Sequence, residues 1–346
     1  MKFKSYNSII CLKRYWNLIK LGNDKIYQAY EFNKLFYYYR KTSIHNFKNK
    51  NRKTLFIVGF DKNIPCCIAP LGINETNKSV CIIGYGTNAG YLDFIYNEDI
   101  NILKISELLK ECCRLLPEYT FLFTDLKDNS KLFQVLPKDD CADIEGYAIT
   151  LPDTFEIYYE NLSKSTRQNI RTTYNRIIKD SVSYSLKIYK QNGSVNKNLI
   201  KKLNYIYLKR RSEWYGMTSN ENYKQKSKIK EWQEINRDII FKSLKKFSNA
   251  IIVLIEINNQ PAAFMIAYVY NNSIVVPRLA IDTDYSRYSP GGLLLVEYIK
   301  QLYDNGYGKG VVIDLCRGNE KYKSVYGGKL SLTHSVKFDA SDVMKL

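Results

Sequence analysis

Histidine is the scarcest chemistry-bearing residue in this 346-residue chain, with only His45 and His334. The eight cysteines, Cys11, Cys66, Cys67, Cys81, Cys112, Cys113, Cys141 and Cys316, include two adjacent pairs but no CxxC or CxxH spacing. Neither a zinc site nor a disulfide framework is expected, and the cysteines read as free thiols in a reducing compartment. No metal is expected. The chain has no GxGxxG string opening a helix after a strand and no Walker A sequence, which argues against those two nucleotide-binding designs. The strongest apolar runs, Ile251–Ile257 and Ala262–Tyr270, fall far short of the roughly 20 residues needed to span a bilayer. The N-terminal string MKFKSYNSIICLKRYW lacks the apolar core and small-residue cleavage pattern of a signal peptide. A cytoplasmic protein without a transmembrane segment is expected, and any membrane contact is peripheral.

What the chain does have is apolar material, 45% hydrophobic and 14% aromatic residues, enough for packed cores. Its length suits two domains of ordinary size. Lys and Arg number 52 against 34 Asp and Glu, a net charge of +18. That excess fits either a compositional bias, since Lys, Asn, Ile and the 30 Tyr are abundant throughout, or an anionic partner.

In the first half, Thr54–Phe60 and Cys66–Pro70 read as strands flanking the turn Asp61–Pro65, and Cys81–Ile83 adds a short strand. Ile102–Leu116 carries Ile105, Leu108, Leu109 and Cys112 at helical spacing, and Thr120–Asp125 returns to strand. Gly146 and Pro152 mark a boundary, dividing the chain into residues 1–148 and 149–346. Beyond it come a basic helix, Thr166–Lys179, and two longer ones, Lys197–Glu213 and Tyr223–Phe247. Two hairpins follow, from the strands Ala250–Ile257, Pro261–Tyr270 and Ser273–Ile281. Then come the loop Asp282–Pro290, the helix Gly291–Asp304, the strand Gly310–Leu315, a short helix at Glu320–Tyr326 and a last strand, Leu330–Phe338. The expected class is α/β (α+β).

One turn carries chemistry. Gly291 and Gly292 stand between a strand end and the first turn of an amphipathic helix, where backbone N–H groups lack intrahelical partners. Glycines admit an anion closely and the helix dipole favours it, so the turn suits a pyrophosphate, with Arg287 adding positive charge. The same string also reads as an ordinary helix start with proline near its first position.

Arg287-x-x-Pro290-x-Gly292 resembles the R/Q-x-x-G-x-G/A loop of GNAT acetyltransferases, with proline in place of the first glycine. Arg287-Tyr-Ser-Pro-Gly-Gly-Leu-Leu-Leu and Asp314-Leu-Cys-Arg317-Gly318-Asn-Glu320-Lys-Tyr322-Lys323 resemble the "sPG-x-LL" and "D-x-x-RG-x-E-x-YK" strings of CelD-type GNAT acetyltransferases. Arg167-Gln-Asn-Ile-Arg171-Thr172 is similar to that family's "R-x-x-IRR" helix start, with Thr172 replacing the last arginine. The likeness covers residues 150–340 well and 20–130 more weakly, through Ile64–Leu71 and Gly84–Asp93. It implies tandem GNAT-like domains, each a mixed, mainly antiparallel sheet flanked by helices, with the catalytic one C-terminal. It also implies acetyl-CoA or another acyl-CoA as co-substrate, held by Arg287, Ser289, Pro290, Gly291, Gly292 and Leu293. A backbone N–H near Leu279, Ala280 and Ile281 would hold the oxyanion in a direct transfer. The Fem-type aminoacyl ligases share the double fold and take aminoacyl-tRNA, so they supply the competing reading.

Asp314 and Glu320 are the candidate bases, Asp314 because it ends a strand where open sheets place ligands. A structural ion-pair network of Asp314, Arg317 and Glu320 bracing the loop is the alternative, with Arg317 and Lys323 close enough in sequence to keep Asp314 ionised. Tyr322 and Tyr326 are candidates to protonate the leaving thiolate, against a packing role. Arg167 and Arg171, at i and i+4, together with Arg317 and Lys323, are candidates to hold an anionic acceptor, against a solvated helix face for the first pair. His334 reads as structural, Trp214, Tyr215 and Trp232 as packing, against a role lining an acceptor cleft, and Cys316 as no nucleophile, since no histidine accompanies it. The expected acceptor is a small molecule or glycan precursor: a sugar, nucleotide-sugar or other envelope or polysaccharide precursor, acylated on N or O. Nucleic acid is not expected, tRNA belonging to the Fem-like alternative. A non-catalytic GNAT-like module binding anions is the third reading.

Overall fold

The structure is a computed structural model that describes residues 1–22, 25–43, 51–87, 89–190, 195–216 and 223–345; His45 lies outside the described residues. It divides into two compact units, Met1–Glu145 with Leu332–Leu346, and Gly146–Ser331. The sequence reading puts the divide at 148/149 and keeps the last residues with the second half. The C-terminal stretch instead belongs to the first unit because Thr333–Asp339 pairs antiparallel with Thr120–Lys127.

In the first unit, strand β1 (Lys2–Tyr6) pairs with β2 (Arg52–Asp61), and β2 turns into β3 (Ile64–Asn74) through Lys62 and Asn63. Both turn residues have positive φ, 47° and 68°, the geometry of a tight hairpin. β4 (Ser79–Ile82) continues the antiparallel run, and the short β5 (Ile95–Tyr96) also pairs with β3. The helix Ile102–Leu115 crosses over to β6 (Thr120–Lys127), which is parallel to β4. Its Ile105, Leu108, Leu109 and Cys112 are buried as their spacing predicts, and Asn101 caps its start through Leu103 N–H. The strand β1 and the helix Tyr30–Thr42 are absent from the sequence reading.

The second unit repeats the scheme. β7 (Cys141–Thr150) leads out of the first unit, and its second part pairs antiparallel with β12 (Val312–Arg317). β8 (Tyr184–Lys190), β9 (Ala250–Ile257), β10 (Gln260–Tyr270) and β11 (Ser273–Ile281) form an antiparallel run, and β11 lies parallel to β12. The last strand, β13 (Lys329–Asp339), returns the chain to the first unit. The hairpin turns hold Asn258, Asn259 and Asn271 at positive φ, which asparagine tolerates.

β9 is buried along its whole length because helices cover both faces of the sheet. On one face Val253, Ile255, Met265 and Val276 pack with Leu294, Leu295, Tyr298 and Ile299 of the helix Pro290–Asp304 and with Ile170 and Ile177 of the helix Lys164–Lys179. The helix Lys197–Trp214 meets the opposite side through Tyr207, whose hydroxyl accepts from Arg278 of β11 at 2.6 Å. The single expected helix Tyr223–Phe247 is three pieces: an α-helix to Ile235, a wider π turn at Asn236–Ile240, and Phe241–Lys246.

Candidate active site

The parallel pair at the centre of the second unit does not stay together. β11 and β12 pair only at Ser273↔Val312, Ile274↔Ile313 and Val275↔Asp314, although β11 runs on to Ile281 and β12 to Arg317. Beyond Val275, β11 remains zipped to β10 through Met265↔Leu279, Phe264↔Ala280 and Ala263↔Ile281. Its other edge opens toward β12, at the carboxyl ends of parallel strands, where α/β sheets bind ligands. The cause is local. Tyr268 pairs with Val275 and Ile266 with Arg278, so β11 holds one residue more than β10 there, and Pro277 lies in that bulge. A bulge bends and twists its strand, and proline offers no N–H to a neighbour. A proline inside an apolar strand was the signal for this feature, and the sequence reading passed over it.

From Ile281 the chain makes a 3-10 turn, Thr283–Tyr288, begun by the Asp282 carboxylate accepting from Asp284 N–H at 3.2 Å. Ser289 sits in the left-handed region, φ 45°, and Pro290 opens the helix. The first intrahelical bond runs from Leu293 N–H to Ser289 C=O at 3.0 Å, so the amides of Gly291 and Gly292 lie in the turn that intrahelical bonding leaves unpaired. Helices starting at Ile102, Phe155, Lys164 and Lys197 are each capped by a side chain; the Pro290 helix has no side-chain cap. Both glycines are also needed for packing. A Cβ at Gly291 would come within 2.9 Å of Ile281 Cγ2, and one at Gly292 would overlap the Tyr326 hydroxyl. The phosphate-type turn, the end of β11 and Tyr326 are thus brought together. Leu279, Ala280, Ile281 and Leu293 line or back this corner.

The arginines expected to add charge are engaged elsewhere. Arg287 clamps Asp180 with Nε at 2.7 Å and Nη2 at 3.3 Å, and the Tyr288 hydroxyl donates to the same carboxylate at 3.1 Å. The Arg287 fork holds the Asp180 carboxyl below its ordinary range. Arg167 donates to the carbonyls of Glu160 and, at 2.8 Å, Leu162, finishing the helix Phe155–Asn161 instead of facing a ligand. Arg171 bonds Gln168 on an exposed helix face.

Lys323 is buried at 2% exposure, which removes it from the substrate-binding set. Its ammonium donates to the carbonyls of Cys316 (3.1 Å), Arg317 (2.7 Å) and Gly318 (3.1 Å) and lies 2.9 Å from the Glu320 carboxylate. Gly318, at φ 109°, lets the Glu320 carboxylate fold over a site that a Cβ would fill. Glu320 and Lys323 therefore brace the loop after β12, whereas the sequence reading sets its structural network among Asp314, Arg317 and Glu320; Arg317 is exposed beside them. Asp314 stands at the apex of the opening, opposite Val275 and not beside Ile281. Its Oδ1 accepts from Cys316 N–H at 2.8 Å, which steadies Cys316 at φ 58°.

Tyr326 borders this corner, and Tyr322 packs against the same core. Burial pushes both Tyr322 and Tyr326 above the ordinary tyrosine range, and Tyr326 is anchored at its carbonyl by the Tyr158 hydroxyl at 3.1 Å. Trp232 is buried, and its ring lies 5.2 Å from that of Tyr215, while Trp214 is exposed. In the first unit His334 is held by Asp143 at Nδ1 (2.9 Å) and Asp128 at Nε2 (2.6 Å), stacked 4.1 Å from Phe133.

Residues 204–324, about a third of the chain, match the family described as "Acetyltransferase (GNAT) domain". No curated protein matches the sequence. Among solved structures, FemX is similar over 100% of both chains at 8% identity and a TM-score of 0.58. A conserved protein of unknown function from Bacteroides thetaiotaomicron is similar over 97% of this chain and 99% of its own, at 11% identity and a TM-score of 0.52. A C-terminal domain from Agrobacterium fabrum that bears the name of a lysylphosphatidylglycerol synthetase aligns over 83% of this chain and 85% of its own, at 11% identity and a TM-score of 0.51. These likenesses concern the fold alone. Among the described residues no helix is long and apolar enough to cross a membrane. The opening between β11 and β12, its uncapped glycine turn and the loop after β12 all lie inside residues 204–324, the stretch of this mixed α/β protein that is similar to the GNAT acetyltransferase domain.

Proposed function

We propose that the chain is a cytoplasmic acyl-CoA-dependent N- or O-acyltransferase of CelD-type kind, acting by direct transfer on a sugar, nucleotide-sugar or other envelope precursor. The observation that carries this is the uncapped Gly291–Gly292 turn at the mouth of the β11/β12 opening. The two glycine amides and the helix dipole suit a pyrophosphate, and the unzipped edge of β11 suits the extended arm that follows it. Backbone N–H groups between Leu279 and Ile281 are positioned to hold the oxyanion while an acceptor amine or hydroxyl attacks the thioester carbonyl. Asp314, at the apex, takes the proton from the acceptor. Tyr326, kept protonated by burial and lying on Gly292, gives one to the departing thiolate. Arg287 assists through position only: its ion pair fixes the turn to the helix Lys164–Lys179.

The full-length likeness to FemX supports one competitor, a Fem-like transferase using aminoacyl-tRNA. Calorimetry with acetyl-CoA, coenzyme A and tRNA separates the two. Micromolar acetyl-CoA binding with only salt-sensitive tRNA binding is expected; a tRNA complex that survives about 200 mM salt with no acetyl-CoA binding would overturn the proposal.

A further inference from the structure

A cleft of about 390 Å³ lies on the second unit beside the turn that leads into the glycine pair, and no role above uses it. Its size is that of a small-molecule site. One wall is the helix Lys197–Trp214, which contributes Lys201, Lys202 and Tyr205; the other is Gln260 at the start of β10 with Asp282 and Tyr285. The fold fixes this juxtaposition at two points. Asp282 N–H donates to Ala262 C=O at 2.8 Å, holding the end of β11 against the start of β10. Lys209 lies 2.7 Å from both the Asp282 and Asp284 carboxylates, fastening the helix to the same turn.

The lining chemistry is specific in kind. The one acidic group lining the cleft, Asp282, is already matched to Lys209, while the two lysines about two helical turns before Lys209 are exposed on the rim, with Lys202 reaching Gln260 Oε1 at 3.4 Å. Tyr205, 64% exposed, presents a ring to solvent, and Tyr285 stands on the opposite wall. Cations and a ring on one wall, with an amide, a carboxylate and a second ring on the other, fit a ligand with a phosphate at one end and hydroxyls on a ring at the other.

We propose that this cleft binds a phosphate-bearing, ring-containing ligand through Lys201 and Lys202. Two sources share that chemistry: a phosphosugar acceptor, and the 3'-phosphate end of coenzyme A lying over from the adjacent glycine turn. The second rests on the acyl-CoA reading; the first does not.

Calorimetry on the full chain distinguishes them, using glucose 1-phosphate, glucose, coenzyme A and 3'-dephospho-coenzyme A against the native protein, Lys201→Glu/Lys202→Glu and Lys201→Gln/Lys202→Gln. Both side chains are exposed, so circular dichroism and the thermal midpoint should match the native protein in at least the glutamine variant. Loss of at least tenfold in glucose 1-phosphate affinity, with no binding of glucose by any form, assigns the cleft to the acceptor. A tenfold loss for coenzyme A with none for its dephospho form assigns it to the cofactor phosphate. Native protein that binds glucose 1-phosphate but neither coenzyme would sink the acyl-CoA reading and leave the cleft standing. Equal affinities for every ligand in native and variant proteins would overturn the assignment.

Discussion

The hydroxyl of Tyr326 occupies the space that a side chain on Gly292 would need. The glycine turn and the candidate proton donor are therefore one packing unit. Gly292→Ala should weaken coenzyme A binding and lower the thermal midpoint, because the ring must move. Tyr326→Ala should relieve that clash, so the double variant should be more stable than the sum of the single effects predicts, by about 0.5–3 kcal/mol. Additive losses in a denaturation-based double-mutant cycle would separate the two residues.

Asp314→Asn keeps an oxygen for Cys316 N–H and so should preserve the loop, with the thermal midpoint near that of the native protein. As base, its loss should lower kcat/KM for acyl transfer by about 10²–10⁴ with coenzyme A affinity intact. Native turnover in this variant would reduce Asp314 to a structural residue.

Lys323→Met should behave in the opposite sense. It strands three carbonyls and the Glu320 carboxylate, at a cost of about 3 kcal/mol in urea unfolding. A variant as stable as the native chain would show that the loop has another brace.

Burial raises the Tyr326 phenol above its ordinary value, near 10. Its folded pKa exceeds the unfolded one, so the neutral phenol's contribution to stability is whole below the unfolded value. That contribution fades as pH rises through the folded value. As proton donor, Tyr326 should keep kcat level on the basic side until above pH 10. Tyr326→Phe should lower the plateau and remove that final fall; an unchanged pH profile would exclude the role.

Much of the second unit was legible because its signals are local. The Asn turns between β9, β10 and β11, the apolar runs around them and the Pro290-Gly-Gly helix start each act within a few residues. What escaped depends on partners distant in sequence. β1 carries only exposed and half-exposed residues and is a strand because β2 lies beside it. Lys323 and Arg167 look like surface cations until the carbonyls they serve are brought round by the fold. The C-terminal residues changed unit for the same reason, since their partner strand, Thr120–Lys127, is some 200 positions earlier.

Pro277 gives the opening beside β11 a covalent origin. A strand edge left bare by a flexible loop can heal by pairing with its neighbour, and a ligand must then compete with that closure. Here the extra residue bends β11 within its ladder to β10 and the proline ring withholds a hydrogen, so pairing of β11 with β12 beyond Val275 is disfavoured. The slot is held open before anything arrives, and the free energy of an incoming extended chain goes into contacts instead of prising strands apart.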